Sequence, residues 1–487
     1  MAQGRENGAG NGTRNGGDHH IQYIPLAYAG GDDSTASAMR LVTAVRPDWS
    51  DEGSKVEFAR FTDGITNTLL KAVNKREGLS KEEVDKEAIL LRAYGHGTDV
   101  IIDRHRETQN HELLMKNGLA PELLARFENG MMYRFIRGSV SQPEDLRKPT
   151  IYRAVARRLA EWHAVVPCIP GPTGHSRKNS RSDGVAPVGE QAFQRALDSV
   201  APGKPPPNVW TVMQKWIFAL PDATPEQRER QEQLQRELER LVDELSQRPG
   251  LGQNGVSALL LFSPSYFPFT PHPSPILFLS PLSPPFLLLF CGVPGCTHAI
   301  WKKLANRCPQ LVFAHCDLLS GNVIVLPKSG VSSVGEKASE TVAFIDYEYA
   351  TPSPAAFDIA NHFAEWGGFD CDFSVLPTRG QRREFISEYV HTYFKLAKDA
   401  DASGDVDLAC EINKLADEVD HFRGVPGFYW GIWALIQATI SEIDFDYASY
   451  AEVRLGEYWA WRAELDGSRA ASDKEMPLRE RRWAQEA

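Results

Sequence analysis

The sequence predicts an α+β fold, with strands early, helices later, and a second strand pair set among the helices. Three observations carry this. Two apolar runs flank Asp63-Gly64 within residues 56–73, the signal of a β-hairpin. Apolar residues recur at helical spacing at Ile151, Val155, Leu159 and Trp162, and again at Leu234, Leu238, Leu241, Val242 and Leu245. Residues 323–326 and 342–345 are short apolar runs rich in β-branched residues, each with polar groups at one end, which suits two paired strands.

In chain order, residues 1–20 have almost nothing to bury and are expected to form a disordered tail. Short apolar runs over 21–46 suggest an edge strand and a helix. The hairpin follows, then a strand over 88–95 containing Arg92, a helix over 103–114 containing Glu107, and a second hairpin over 125–138. The charged residues Arg104 and Arg106 fit a solvated helix face. Thr150 is expected to cap a helix that ends before Pro167, and residues 167–190 read as a loop. Thr224-Pro225 opens the next helix and Pro249-Gly250 closes it. Residues 381–397 and 405–422 read as helices, 427–447 carries aromatic residues at helical spacing, and 453–461 and a charged tail at 466–487 close the chain.

With 487 residues and 42% apolar content, the chain can bury a large core. A formal net charge of −11 argues against a nucleic-acid surface and suits a pocket for a small cation. Seven cysteines without framework spacing point to a reducing compartment. The polar N-terminus has no apolar run of the kind a signal peptide needs, so a cytoplasmic enzyme without a membrane span is expected.

The chemistry concentrates between residues 312 and 366. His315-Cys316-Asp317 and Asn322 have the Asp-to-Asn spacing of a kinase catalytic loop, in which the Asp takes the proton of the attacking hydroxyl and the Asn helps hold Mg²⁺. Asp346 follows the second strand, where another magnesium carboxylate belongs. A lone H-x-D is as readily a capped turn, but three such groups in order at strand ends make a phosphoryl-transfer toolkit. His315 is expected to brace the loop rather than do chemistry.

These motifs, with Phe357-Asp358-Ile359-Ala360-Asn361-His362-Phe363-Ala364-Glu365-Trp366, resemble the choline/ethanolamine kinase family over roughly 56–250 and 311–461. The resemblance implies a bilobal protein-kinase-like fold, with a small antiparallel-sheet N-lobe at 21–138 and a larger, mainly helical C-lobe at 139–250 and 311–465. It implies ATP-dependent phosphorylation of ethanolamine, the first step of the CDP-ethanolamine route to phosphatidylethanolamine. Asp317, Asn322 and Asp346 would be catalytic, with Asn322 and Asp346 on Mg²⁺. Arg92, paired with Glu107, would steady the phosphates. Gly64 and Asn67 would cover the nucleotide, and backbone groups at Phe135, Ile136 and Arg137 would bind adenine. Tyr349, Glu365, Trp430, Trp433 and Tyr447 would wall the amine pocket, where aromatic faces and a carboxylate attract an ammonium. Leu318-Leu319 after the base resembles ethanolamine kinases, whereas choline kinases carry a polar pair there. Cys316 departs from the Asn of many relatives. A choline or dual-specificity kinase, an aminoglycoside-type kinase and an inactive pseudokinase stay open as alternatives, and a homodimer is compatible with the chain.

Residues 251–310 break the pattern. Eight prolines fall between Pro264 and Pro285 in a Leu/Phe/Ser-rich background, which excludes a helix, a central strand or a membrane span. Such residues correspond to pyrimidine-rich codons, and Val256–Gln310 is expected to be a translated, unspliced intron, with a lineage-specific disordered insertion as the alternative. Cys291, Cys296, His298 and Cys308 lie in it, without the spacing of a zinc site.

Overall fold

A computed structural model of the chain describes residues 21–61, 67–95, 97–168, 208–251 (except 247 and 249), 311–328, 340–401, 406–441 and 443–487. The expected N-terminal tail, Gly64 with its turn, most of the 167–190 loop, and the 252–310 insertion with its cysteines and His298 lie outside them. The chain forms two compact units, one comprising residues 1–95 and 121–135, the other 96–120 and 136–487. The helix at 104–116, placed by sequence with the first lobe, thus belongs to the second unit.

The first unit is a six-stranded sheet in the order β1-β5-β6-β4-β3-β2. β2 (Val56–Phe61) and β3 (Asn67–Asn74) pair antiparallel, as expected of the first hairpin, with Phe61 opposite Leu69. β4 (Ile89–Tyr94) lies between β3 and β6 (Gly130–Arg134), with Arg92 opposite Met131. The second hairpin joins β5 (Leu123–Phe127) to β6 through Glu128-Asn129. Gly130 is required there, since a Cβ would sit 2.1 Å from the Arg92 carbonyl oxygen. β1 (Gln22–Ile24) adds in parallel to β5. The Ser34–Val45 helix buries Ala38, Leu41 and Val42 with Leu91, Phe127 and Met132. Each such leucine contributes about 2 kcal/mol of burial.

The second unit is helical around two small strand groups. β7 (Ser139–Val140), β9 (Val323–Val325) and β10 (Val342–Phe344) form one, with Phe344 opposite Val323. β8 (Val312–Ala314) and β11 (Thr351–Ser353) form the other. Beneath them runs the Pro149–Val165 helix. Its first position is Pro149, pre-set for helical φ, and Lys148 is the N-cap, so Thr150 is not the cap expected from sequence. Trp162 on this helix packs its ring against Phe313, His315, Phe344 and Tyr347. The Pro225–Leu245 helix starts at Thr224, whose hydroxyl accepts from the Gln227 amide at 3.2 Å, and buries its full leucine stripe.

One expectation changes here, and the tail gains detail. The 427–447 stretch is not one helix: Val425–Ile440 ends at Ser441, and Asp446 caps a new helix, Tyr447–Leu465, by accepting from the Ser449 amide at 3.0 Å. The charged tail at 466–487 has structure of its own. It includes the helix Leu478–Ala484, with Arg479, Glu480 and Trp483 buried. Among the described residues, no helix is long and apolar enough to cross a membrane.

Candidate active site

β8 leads into His315 and then Cys316, which adopts the left-handed φ of 62°. This bend reverses the chain just before Asp317. One 3₁₀ turn later, Asn322 donates from Nδ2 to the Asp317 carbonyl at 2.8 Å and to its Oδ2 at 3.1 Å. The Asn322 carbonyl accepts from the Ile345 amide at 3.1 Å, and the next residue, Asp346, has a second left-handed φ of 65°. The β9/β10 pairing therefore brings Asp317, Asn322 and Asp346 to one end of the strand pair.

The electrostatics of this end are unbalanced. Burial pushes the Asp317 carboxyl well above its usual range, and the nearby carboxylates of Asp346, Glu365 and Glu348 push it the same way. A hard cation would relieve that crowding, and Asn322 and Asp346 offer it an amide and a carboxylate oxygen. Among the described residues, no group of three or more His, Cys, Asp or Glu side chains could hold a metal ion.

The loop is held from below by one helix, Ala355–Ala364. Asp358 accepts from the amides of His315 at 2.9 Å and Cys316 at 2.8 Å, and from His163 Nε2 at 2.9 Å. Burial alone would raise the Asp358 pKa, but these bonds and the neighbouring histidines outweigh it and hold the carboxylate ionised. Asn361 donates to the Cys316 carbonyl at 2.9 Å, and His362 Nδ1 donates to that of Leu318 at 2.8 Å. Burial lowers the pKa of both His315 and His362 to about 4, so both rings are neutral. His315 donates from Nε2 to the Ile345 carbonyl at 3.0 Å, which makes it a brace between loop and strand. The sequence singled out this helix as a motif without assigning roles to Asp358, Asn361 and His362. Their i, i+3, i+4 spacing inside an otherwise apolar helix was the available signal.

The aromatic residues expected at the acceptor pocket form one buried chain. Trp433 Nε1 donates to the Tyr349 hydroxyl at 2.8 Å, and Tyr349 meets Trp430 edge-on at 5.6 Å between centroids. Trp430 contacts Trp433 at 5.5 Å, and Trp433 contacts Tyr447 at 5.7 Å. Trp430 also donates to Asn361 Oδ1 at 2.9 Å, which links the wall to the catalytic loop. Phe445 and Tyr450 continue the chain beyond Tyr447 and were missed by sequence. Glu365 is buried, and its Oε1 accepts from Arg454 Nη2 at 2.5 Å.

The remaining predicted residues divide between the units. Asn67 opens β3 and Arg92 is buried on β4, both in the first unit. Phe135 closes that unit, with its ring near-parallel to Phe61 at 6.4 Å and the Lys71 ammonium 3.9 Å from its centroid. Ile136 and Arg137 are half-buried in the second unit. Glu107, also in the second unit, accepts from Arg104 Nη1 at 3.0 Å. The same nitrogen reaches Glu348 at 3.0 Å. Arg104 is thus no solvated surface residue but ties the 104–116 helix to the chain just after Asp346.

Comparison with known proteins places the chain in a family. The choline/ethanolamine kinase family profile matches residues 58–252 and 297–459. The unmatched gap runs from 253 to 296, so the match resumes fourteen residues before the expected end of the insertion at Gln310. Ethanolamine kinase 1 of Mus musculus is 28% identical over 431 residues, covering 88% of this chain and 89% of its own. A probable ethanolamine kinase of Nematostella vectensis is 29% identical over 429 residues, covering 88% and 93%. Among solved structures, Plasmodium vivax ethanolamine kinase superposes with a TM-score of 0.55 at 22% identity, covering 88% of this chain and 89% of that one. Choline kinase from Cryptosporidium parvum gives 0.51 at 19% identity, covering 89% and 97%, and both share the fold. The chain belongs to the choline/ethanolamine kinase family.

Proposed function

We propose that this protein transfers the γ-phosphoryl group of ATP to the hydroxyl of ethanolamine, giving phosphoethanolamine and ADP. The product would enter the CDP-ethanolamine route to phosphatidylethanolamine. The observation that carries the reading is the Asp317–Asn322–Asp346 cluster at the end of β9/β10, beside a buried aromatic chain, in a chain whose relatives are named ethanolamine kinases.

Asp317 orients the acceptor hydroxyl and takes its proton as the new O–P bond forms and the bond to the β-phosphate oxygen breaks. Asn322 fixes the rotamer of Asp317 by bonding to Oδ2. Asn322 and Asp346 would hold Mg²⁺, which when bound neutralises phosphate charge. Arg92, Glu107, Gly64 and Asn67 would serve the phosphates, and the 135–137 backbone adenine. Tyr349, Trp430, Trp433 and Tyr447 present ring faces and edges that favour a small ammonium over a neutral sugar, while Glu365 supplies a carboxylate.

An acceptor panel tests this. Purified protein with Mg·ATP should phosphorylate ethanolamine with a higher kcat/KM than choline, and glucosamine or aminoglycosides should be negligible. Preference for choline moves the substrate within the family, and preference for a sugar overturns the amine reading.

A further inference from the structure

Glu365, at the acceptor pocket, is one end of a buried line of alternating charges. Arg454, fully buried, donates to Glu365 Oε1 at 2.5 Å and from its other terminal nitrogen to Glu457 Oε1 at 3.5 Å. The far oxygen of Glu457 lies 3.7 Å from Arg479 Nε. Arg479 donates to Glu480 Oε1 at 2.9 Å, and Glu480 Oε2 accepts from Arg423 Nη2 at 2.9 Å. Glu365, Arg454, Glu457, Arg479 and Glu480 are each at most 6% exposed. Arg479 and Glu480 stand on the terminal Leu478–Ala484 helix.

Burying one such charge is costly unless its neighbours pair it. Here every interior member has an opposite charge on both sides, so each fixes the next. Arg454 takes only Oε1 of Glu365, and among the described residues Oε2 has no hydrogen bond. Without Arg479, Glu457 would keep Arg454 as its sole cationic neighbour in the line and draw it away from Glu365.

We propose that the C-terminal helix is a working part of the amine site. Through Glu457 and Arg454, Arg479 keeps Glu365 oriented with Oε2 turned to the substrate ammonium. Arg479, Glu457 and Arg454 are positioning residues, and the inference rests on the reading of Glu365 as an amine-site carboxylate.

The test is steady-state kinetics on the full chain, varying ethanolamine and Mg·ATP separately, with melting curves for each variant. Arg479→Gln should raise KM for ethanolamine about tenfold, as expected when one partner of a buried pair is lost, with KM for ATP moved less than about twofold. Glu480→Gln, at the outer end, should raise it by about two- to threefold. Arg479→Lys, which keeps the charge, should restore part of the loss and covers the case where Arg479→Gln does not fold. A folded Arg479→Gln with unchanged amine KM, or Arg479→Lys no better than Gln, overturns the inference. Glu365→Gln is run in parallel. If it leaves amine KM unchanged, the reading of the pocket fails; if it raises KM while Arg479→Gln does not, only the link to the C-terminal helix fails.

Discussion

The proposed catalytic loop and the proposed acceptor wall are built on different plans. The loop is held by directional hydrogen bonds to its main chain: Asp358 takes two of its amides, and Asn361 and His362 give to two of its carbonyls. The histidines involved are kept neutral. The wall is held side chain to side chain, by ring contacts and two indole N–H bonds, from Trp433 to Tyr349 and from Trp430 to Asn361, and the carboxylate beside it by a line of ion pairs. The difference follows from what each region must do. A base has to be aimed within a fraction of an ångström, which only angular bonds to the backbone secure. A cation pocket needs the right charge and polarisable faces, and tolerates small shifts.

Substitutions should separate the two plans. Asp317→Ala should lower kcat by about 10³-fold or more, the scale of a lost general base, while ATP still binds in a fluorescence titration. Near-normal turnover would remove Asp317 from that role. Asp358→Asn touches no substrate, yet it replaces a buried three-bond acceptor with a group that must present a donor. It should cost about 3 kcal/mol in urea denaturation and lower kcat more than it raises the amine KM. An equal change in both constants would put loop and wall on one plan.

Acidity should also discriminate. His315 and His362 have folded pKa values near 4 against an ordinary 6.5, so the unfolded chain binds more protons between those limits. Stability is then fully present above pH 6.5 and is lost as the pH falls toward 4, by up to about 3 kcal/mol per ring. Denaturation midpoints that stay flat from pH 7 to 4.5 would mean the rings are not buried and neutral. On the wall, Trp433→Phe keeps the ring but deletes the bond to Tyr349. It should raise the ethanolamine KM by about three- to tenfold, roughly 1 kcal/mol, with kcat little changed. A kcat effect as large as that of Asp358→Asn would erase the contrast. Smallest of all, a chain lacking 253–296, the stretch without a family counterpart, should turn over within about twofold of the full chain, and sequencing of the spliced transcript tests whether those codons persist.

What was legible in the sequence follows the same division. Asp317, Asn322 and Asp346 could be read because each sits at the end of a short apolar run and the first two keep the Asp-to-Asn spacing of a kinase loop, so local pattern suggested that they belong together. The leucine stripe at 234–245 was equally plain. Arg104 was misread because isolated charges look solvated, and the burial of Arg479 in the charged tail could not be read for the same reason. Their burial depends on partners far along the chain, Glu348 for Arg104 and Glu457 for Arg479. Local spacing carries no trace of such pairs. The boundary at Ser441 was missed because the aromatic periodicity runs on past the point where Asp446 caps the next helix.

The left-handed turn at Cys316 has a consequence for how this loop can drift. Its thiol is fully buried, 3.4 Å from the Ser353 hydroxyl, and burial pushes its pKa well up, so it is no nucleophile. What the loop needs from this position is a backbone angle, which asparagine adopts at least as easily. The residue beside the base is therefore replaceable, and evolution can exchange cysteine and asparagine there without re-aiming the carboxylate that follows.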